Sequence, residues 1–497
     1  MTVRALADEQ LDTLCHADPL EATLFGLPGH DHRLADLSEA GEAALRDRES
    51  DIAARAAAID PSTLDDEDAV TRSVVEQQAR ARIDMIDSRW LEFTISGLFI
   101  SPASQLLSML PLIAFPDADR ARSFVERLNA IPEHLAAAGE RHRAGVAAGR
   151  YPVARGTQAA IDQIDRYLAA PEQDPFLRQP FPADADGAER ERVVADRVRP
   201  AFAAYRDLLA NEIVQHGRPD DRPGVCWLPE GDTVYSRLSK VHLTIERDAE
   251  ELHQVGLDIA ARLAEEYAEV GSKVFGTSDR TEIFQRMTTD PALRWSSADE
   301  LLTAANRAVR RAEEVAADWF GLLPSTPCKV EPVPEADAPT SPTAFYVPPS
   351  IDGARDGVYF ANTFQAEQRD RFTSEVIAFH EAVPGHHLQL SISQELSHLP
   401  LVRRIAPVNV YAEGWGLYTE RLADEMGLYT SELDRLGMLA MDSLRAGRLE
   451  FQRLRAKAQS ALNGRFDIKS FHDVVLGSGS LPLGVLDEVV TGWITSR

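Results

Sequence analysis

The chain has 497 residues, of which 44% are hydrophobic and 26% charged, so it can form a substantial core and more than one lobe. Its net charge is −27, because 79 acidic residues outnumber 52 basic ones. Such an acidic chain is not expected to bind nucleic acid or an anionic membrane surface.

The dominant pattern along the chain is helical. Apolar residues recur with a helical period in Ala-, Glu- and Arg-rich stretches, which predicts helices over residues 42–58, 70–86, 121–130, 133–148, 159–168, 201–213, 249–270 and 298–317. Pro132 is expected to start the fourth of these helices as a first-turn proline. Apolar and polar residues alternate over 357–363, which predicts a short strand. The sequence therefore predicts a mostly α fold.

Breaks in the helical pattern divide the chain. They fall at residues 171–187, 217–224 and 324–349, and the last is rich in proline and acidic residues. We predict a helical N-terminal part, residues 1–323, followed by a helical part, residues 324–497, that carries the motifs and the metal site.

The cysteines and the N-terminal residues indicate the cellular compartment in which the protein is expected. Cys15, Cys226 and Cys328 are scattered and odd in number, which is typical of a reducing environment. Residues 1–9 contain acidic residues and no apolar run, and no later segment approaches the ~18 uncharged apolar residues of a membrane helix. We expect a cytoplasmic protein without a membrane partner.

The most informative segment is HEAVPGHH, residues 380–387. A His-Glu pair followed by further histidines on an apolar run is how zinc hydrolases hold a metal beside a general base. Here Pro384 stands where the second ligand of H-E-x-x-H belongs, and on an unbroken helix His386 would point about 240° away from His380. Because proline and glycine permit a break at 383–385, we predict that His386 is brought round to the metal.

A third ligand is predicted in the segment YAEGWGLYTE, residues 411–420. Glu413 would complete a site with His380 and His386, and Glu381 would act as the general base. His387 is expected to lie behind the ligands or to face the substrate. The alternative is that residues 380–387 have only a structural role and bind no metal. Glu413 would then only complement the dipole at a helix N-terminus.

Three segments carry a resemblance to a known family. The octet, YAEGWGLYTERLADEMGLY and FDIKSFHDVVLGSGSLPLGVLDEVVTGWI resemble the DUF885 family of bacterial proteins. Residues 346–363 also fit that family, and residues 18–38 fit it weakly. That family is similar to helical zinc peptidases of the gluzincin type. The resemblance implies a large helical fold with a cleft and a small β element near the site, one zinc ion, and a peptide or small amide substrate. It also supports His386 as the second ligand and Glu413 as the third.

The resemblance implies further site residues and one departure. In the similar peptidases an edge strand near the zinc holds the substrate backbone, so Tyr359 and Asn362 are candidates for substrate contact. A stretch of some tens of residues that the family carries is absent near residues 449–450. By their position, Tyr418 or Arg448 could steady the oxyanion of the reaction.

These observations predict that the protein is a metal-dependent hydrolase, either a zinc peptidase or an amidohydrolase. Manganese, cobalt or iron could replace zinc at His and Glu ligands. One alternative is a metal- or peptide-binding scaffold that has lost catalysis together with the absent stretch. Another is biosynthetic chemistry on a small molecule at the same metal site.

Overall fold

The computed structural model describes residues 2–335, 338–339, 341–443 and 449–497, which are mostly α-helical, as predicted. The helices are α1 (Val3–Ala17), α2 (Pro19–Leu24), α3 (Glu39–Ala58), α4 (Asp66–Asp87), α5 (Pro102–Met109), α6 (Ala118–Ala147), α7 (Ala154–Ala169), α8 (Gly187–Val193), α9 (Arg199–Leu208), α10 (Gly231–Leu243), α11 (Ala249–Phe275), α12 (Arg280–Thr289), α13 (Ala298–Trp319), α14 (Ser374–Glu381), α15 (His386–Glu395), α16 (Leu401–Ile405), α17 (Asn409–Glu425), α18 (Glu432–Asp442), α19 (Leu449–Leu462), α20 (Ile468–Leu476) and α21 (Leu483–Thr495). The strands are β1 (Cys328–Pro332), β2 (Ala344–Val347) and β3 (Gly357–Ala361).

The chain divides into two compact units. One consists of Met1–Val241 with Ser350–Arg355, and the other of His242–Pro349 with Asp356–Arg497. The short segment joins the first unit because the Ile351 N–H donates to the Phe25 carbonyl at 2.8 Å.

The core of the first unit lies among helices α5 to α9. Its buried side chains are almost all aliphatic or aromatic, and they include Leu106, Leu110, Phe124, Leu128, Ile131, Leu135, Ile161, Ile164, Tyr167, Val198, Phe202 and Tyr205. Their burial removes apolar surface from water at roughly 25 cal/mol per Å², which is the main favourable contribution to folding.

The prediction that Pro132 starts a helix was wrong. The two helices predicted over 121–130 and 133–148 are one helix, α6, which ends at Ala147, and Pro132 lies inside it. Proline removes one helical hydrogen bond, but Leu128, Ile131 and Leu135 on either side of it share one buried face. Packing of that continuous face offsets the lost hydrogen bond.

The second unit contains the helices that precede the motifs as well as the motifs themselves. Ile259 and Leu263 of α11 share a core with Leu436 and Leu439 of α18. The boundary between the compact units therefore lies at residues 241/242, whereas the pattern of breaks placed it at 323/324.

The small sheet of the second unit has the order β1-β3-β2. The predicted strand at 357–363 is present as β3, which pairs parallel with β1 and antiparallel with β2, with Tyr359 opposite Val330 and Tyr346. All five residues of β3 are buried. β3 is therefore the central strand of this sheet, because both of its edges are paired.

Candidate functional site

The octet forms two helices with a break between them. α14 ends at Glu381 and α15 begins at His386, so residues 382–385 make the turn that the sequence predicted near Pro384. The Ala382 N–H still bonds the Ala378 carbonyl at 2.9 Å, while the Ala382 carbonyl accepts the His387 N–H at 3.1 Å. The Ala382 carbonyl thus provides a partner for the His387 N–H, one of the backbone donors in the first turn of α15 that have no partner within the helix.

The turn depends on one hydrogen bond from α17 and on a glycine at residue 385. The Trp415 indole Nε1 of α17 donates to the Pro384 carbonyl at 3.0 Å, and Trp415 is fully buried. A Cβ atom at Gly385 would lie 1.8 Å from the His380 carbonyl oxygen. Only glycine permits this close approach, which brings His386 back beside His380.

The three predicted metal ligands meet at one place. Glu413 lies 3.7 Å from His380 Nε2 through Oε2 and 3.7 Å from His386 Nε2 through Oε1. The two imidazole rings are 4.6 Å apart at 82°, and one ligand atom from each residue lies within 4.8 Å of the others. Ligand atoms around one tetrahedral zinc ion are about 3.4 Å apart, given bonds near 2.1 Å. The donors are thus spaced for a single ion after small movements.

The helix α17 contributes two residues that the sequence analysis did not assign to the site. The Glu420 carboxylate Oε1 lies 2.8 Å from His380 Nδ1, and Glu420 is buried. A Cβ atom at Gly416 would lie 2.5 Å from His380 Cε1. The signal that could have revealed both is their spacing from Glu413, since positions i, i+3 and i+7 share one helix face.

The environment of His380 favours a positive charge. Burial lowers its pKa, but the interactions with the Glu413 and Glu420 carboxylates and the charge of Glu381 outweigh burial and raise the pKa to about 9. A metal ion bound to His380 would replace a proton, and the same carboxylates would stabilise either cation.

Glu381 lies at the end of α14, next to the sheet. Burial raises the pKa of Tyr359 above its ordinary value, and the nearby Glu381 charge raises it further. The pKa of Cys328 rises to about 12 for the same two reasons, together with the charge of Glu313. Tyr359 is buried on β3, so its hydroxyl stays protonated at neutral pH.

His387 lies behind the ligands and joins α15 to the sheet. Its Nδ1 bonds the Tyr346 hydroxyl of β2 at 2.9 Å, and its Nε2 bonds the Thr326 carbonyl at 3.0 Å. Burial lowers its pKa to about 4, although the hydrogen bond with Thr326 opposes that shift. His387 is thus a neutral, buried connector with both ring nitrogens in use.

Asn362 fixes the chain next to β3. Its side-chain amide donates to the carbonyls of Ala338, Ser341 and Pro342, and its oxygen accepts the Phe364 N–H. The side chain therefore holds the loop before β2, and a direct contact with substrate stays a prediction.

Tyr418 and Arg448 complete the predicted set. The Tyr418 hydroxyl bonds His472 Nε2 at 2.8 Å and Arg455 at 3.4 Å, inside a cluster with Trp415 and Phe451. The described contacts of the Tyr418 hydroxyl are thus with α19 and α20, away from the three ligands. Arg448 lies outside the described residues.

A family model described as "Bacterial protein of unknown function (DUF885)" matches residues 19–449 and 446–490. The chain belongs to the DUF885 family. The two matched segments of this DUF885 protein meet at 446–449, where the sequence predicted an absent stretch near residues 449–450.

Solved structures share the fold of this DUF885 protein. A protein from Colwellia psychrerythraea, described as a candidate lipoprotein, is 23% identical with a TM-score of 0.86, over 100% of this chain and 99% of that chain. A candidate lipoprotein of unknown function from Shewanella oneidensis is 17% identical with a TM-score of 0.72, over 99% of this chain and 100% of that one. A comparison with curated proteins gives no significant match. Among the described residues, no helix is both long and apolar enough to span a membrane.

Proposed function

We propose that this protein is a metal-dependent hydrolase of peptide or small amide bonds. The observation that carries the proposal is the convergence of His380, His386 and Glu413, whose ligand atoms lie within 4.8 Å of one another. Two neutral imidazoles and a carboxylate are a donor set that hydrolytic zinc sites use. Manganese, cobalt or iron would also accept these ligands.

The surroundings of the ligands fit this use. His380 and His386 are buried, whereas the Glu413 side chain is 58% exposed, so one side of the ligand set is open to solvent. A hydrolytic site needs such access for substrate and water.

The metal and the protein side chains would have different roles in the reaction. When bound, the metal would polarise a carbonyl and lower the pKa of water. Glu381 would accept a proton from the attacking water and return it to the leaving amine. Tyr359 stays a candidate for substrate contact, whereas the Tyr418 hydroxyl already bonds His472 and Arg455.

A second candidate function is a scaffold that binds metal or peptide without catalysis. It is favoured by the junction at 446–449, where the match to the family divides. The ligands and Glu381 are all present, so the scaffold and the hydrolase would bind metal alike and differ only in turnover.

A substitution at Glu381 separates the two functions. In the zinc-loaded protein, Glu381→Gln should lower hydrolysis of short peptides and unrelated amides by about 10²–10⁴-fold, because proton transfer is lost. Zinc content should stay at the wild-type level, which is the control for an intact site. Equal turnover in both proteins would contradict Glu381 as the base. If zinc binds but no peptide or amide in the panel is hydrolysed, the scaffold is the better account.

A further inference from the structure

One face of α17 carries three residues that surround the His380 ring. Glu413, Gly416 and Glu420 occupy positions i, i+3 and i+7, so Glu413 and Glu420 point in nearly the same direction about 10.5 Å apart along the helix. Gly416 lies between them, and its missing side chain leaves room for the imidazole. The ring therefore lies across the helix between two carboxylates.

Each carboxylate meets a different nitrogen of the ring. Glu413 is 3.7 Å from Nε2, on the side of the ligand cluster, and Glu420 is 2.8 Å from Nδ1, on the opposite side. Glu420 is 1% exposed, and the Tyr429 hydroxyl bonds its backbone carbonyl at 2.9 Å. The position of Glu420 is thus fixed by packing and by hydrogen bonds on both its side chain and its backbone.

We infer that Glu420 is a positioning residue that keeps the proton of His380 on Nδ1 and so presents the Nε2 lone pair to the metal. A carboxylate can only accept a hydrogen bond, so its partner nitrogen must carry the hydrogen. The negative charge also strengthens the imidazole as a ligand. This inference rests on the proposed metal site, and it assigns to α17 both a ligand and the residue that orients another ligand.

The test is the affinity of the purified protein for zinc, measured by competition with a chelator. Glu420→Ala should weaken zinc binding by about 10–100-fold, as is usual when a partner of a metal-bound histidine is removed. Glu420→Gln keeps the shape and can still accept the hydrogen bond, so it should show a smaller loss. The matched control is Glu375→Gln on α14, a partly buried carboxylate that bonds Arg311 and Thr430, and its zinc affinity should equal that of wild type.

A second readout separates positioning from a general effect on folding. The absorption spectrum of the cobalt-loaded protein should change in Glu420→Ala and stay unchanged in Glu375→Gln, because only the first alters a metal-bound ring. Wild-type zinc affinity in both Glu420 variants would overturn the inference and leave the proposed function intact. An equal loss of affinity in Glu375→Gln would also overturn it. If Glu420→Ala fails to fold, the Gln variant decides. Absence of zinc binding in the wild type would refute the proposed function itself.

Discussion

At the scale of single residues, the two adjacent histidines of α15 have opposite environments. His386 lies at the ligand cluster, whereas His387 uses both nitrogens to join β2 and the Thr326 carbonyl to the helix. Sequence alone cannot separate them, because the difference depends on how far the turn at 382–385 rotates the start of α15.

His387→Ala should therefore lower stability without removing the metal. The change removes the hydrogen bonds that His387 makes with the Tyr346 hydroxyl and the Thr326 carbonyl, which should cost roughly 2–3 kcal/mol of unfolding free energy. Zinc content, measured well below the thermal midpoint, should remain at the wild-type level. Loss of zinc from a folded His387→Ala protein would show that His387, and not His386, is the ligand.

At the scale of elements, the turn between α14 and α15 depends on α17. Trp415 bonds the Pro384 carbonyl, and Gly416 and Glu413 lie beside the two histidines, so one helix both fixes the turn and supplies a ligand. The site is thus an arrangement of three helices, and no single motif contains it.

Trp415→Phe should weaken metal binding through this turn. The variant lacks the indole N–H that bonds the Pro384 carbonyl, and this loss should cost about 1–3 kcal/mol in total. Part of that free energy should appear as weaker zinc binding and the rest as lower folding stability. Trp295→Phe is the matched control, because Trp295 is also a buried tryptophan of the same unit but lies outside the turn. Equal zinc affinity in both variants would mean that the turn keeps its shape without Trp415.

The sequence predicted the parts of the fold that depend on local pattern. Helical periodicity located the long helices, and the Pro384–Gly385 pair predicted the break and the meeting of His380 with His386. Features that depend on tertiary contacts were missed. β1 and β2 are short strands that exist by pairing with β3, the helix through Pro132 depends on its buried face, and Glu420 is recognisable only once α17 lies against α14.

At the scale of the whole molecule, the first unit contains buried carboxyl groups whose protonation affects stability. Glu49 of α3 is fully buried, and burial raises its pKa to about 7 from 4.5, although a hydrogen bond with Gln10 and the charges of Arg82 and Arg48 oppose the shift. Between pH 4.5 and 7 the folded chain keeps a proton at Glu49 that the unfolded chain loses. Stability therefore falls as the pH rises through this range.

Glu49→Gln should remove the loss of stability that occurs as the pH rises, because glutamine does not ionise. At pH 8 the variant should be more stable than wild type by up to about 3 kcal/mol, which corresponds to the pKa difference, and at pH 5 the gain should fall to below about 1 kcal/mol. Denaturant unfolding at both pH values measures the effect. Glu67→Gln, at an exposed position of α4, is the control and should change stability equally at both pH values. A gain for Glu49→Gln that is independent of pH would contradict the linkage.

The central claim is that His380, His386 and Glu413 bind one divalent metal ion. The most direct test is elemental analysis of the wild-type protein and of His380→Ala, His386→Ala and Glu413→Ala after incubation with zinc and removal of the excess. The account predicts about one zinc per chain in the wild type and its loss in both histidine variants, with weaker retention in Glu413→Ala. A wild-type protein without metal, or histidine variants that keep it, would contradict the account.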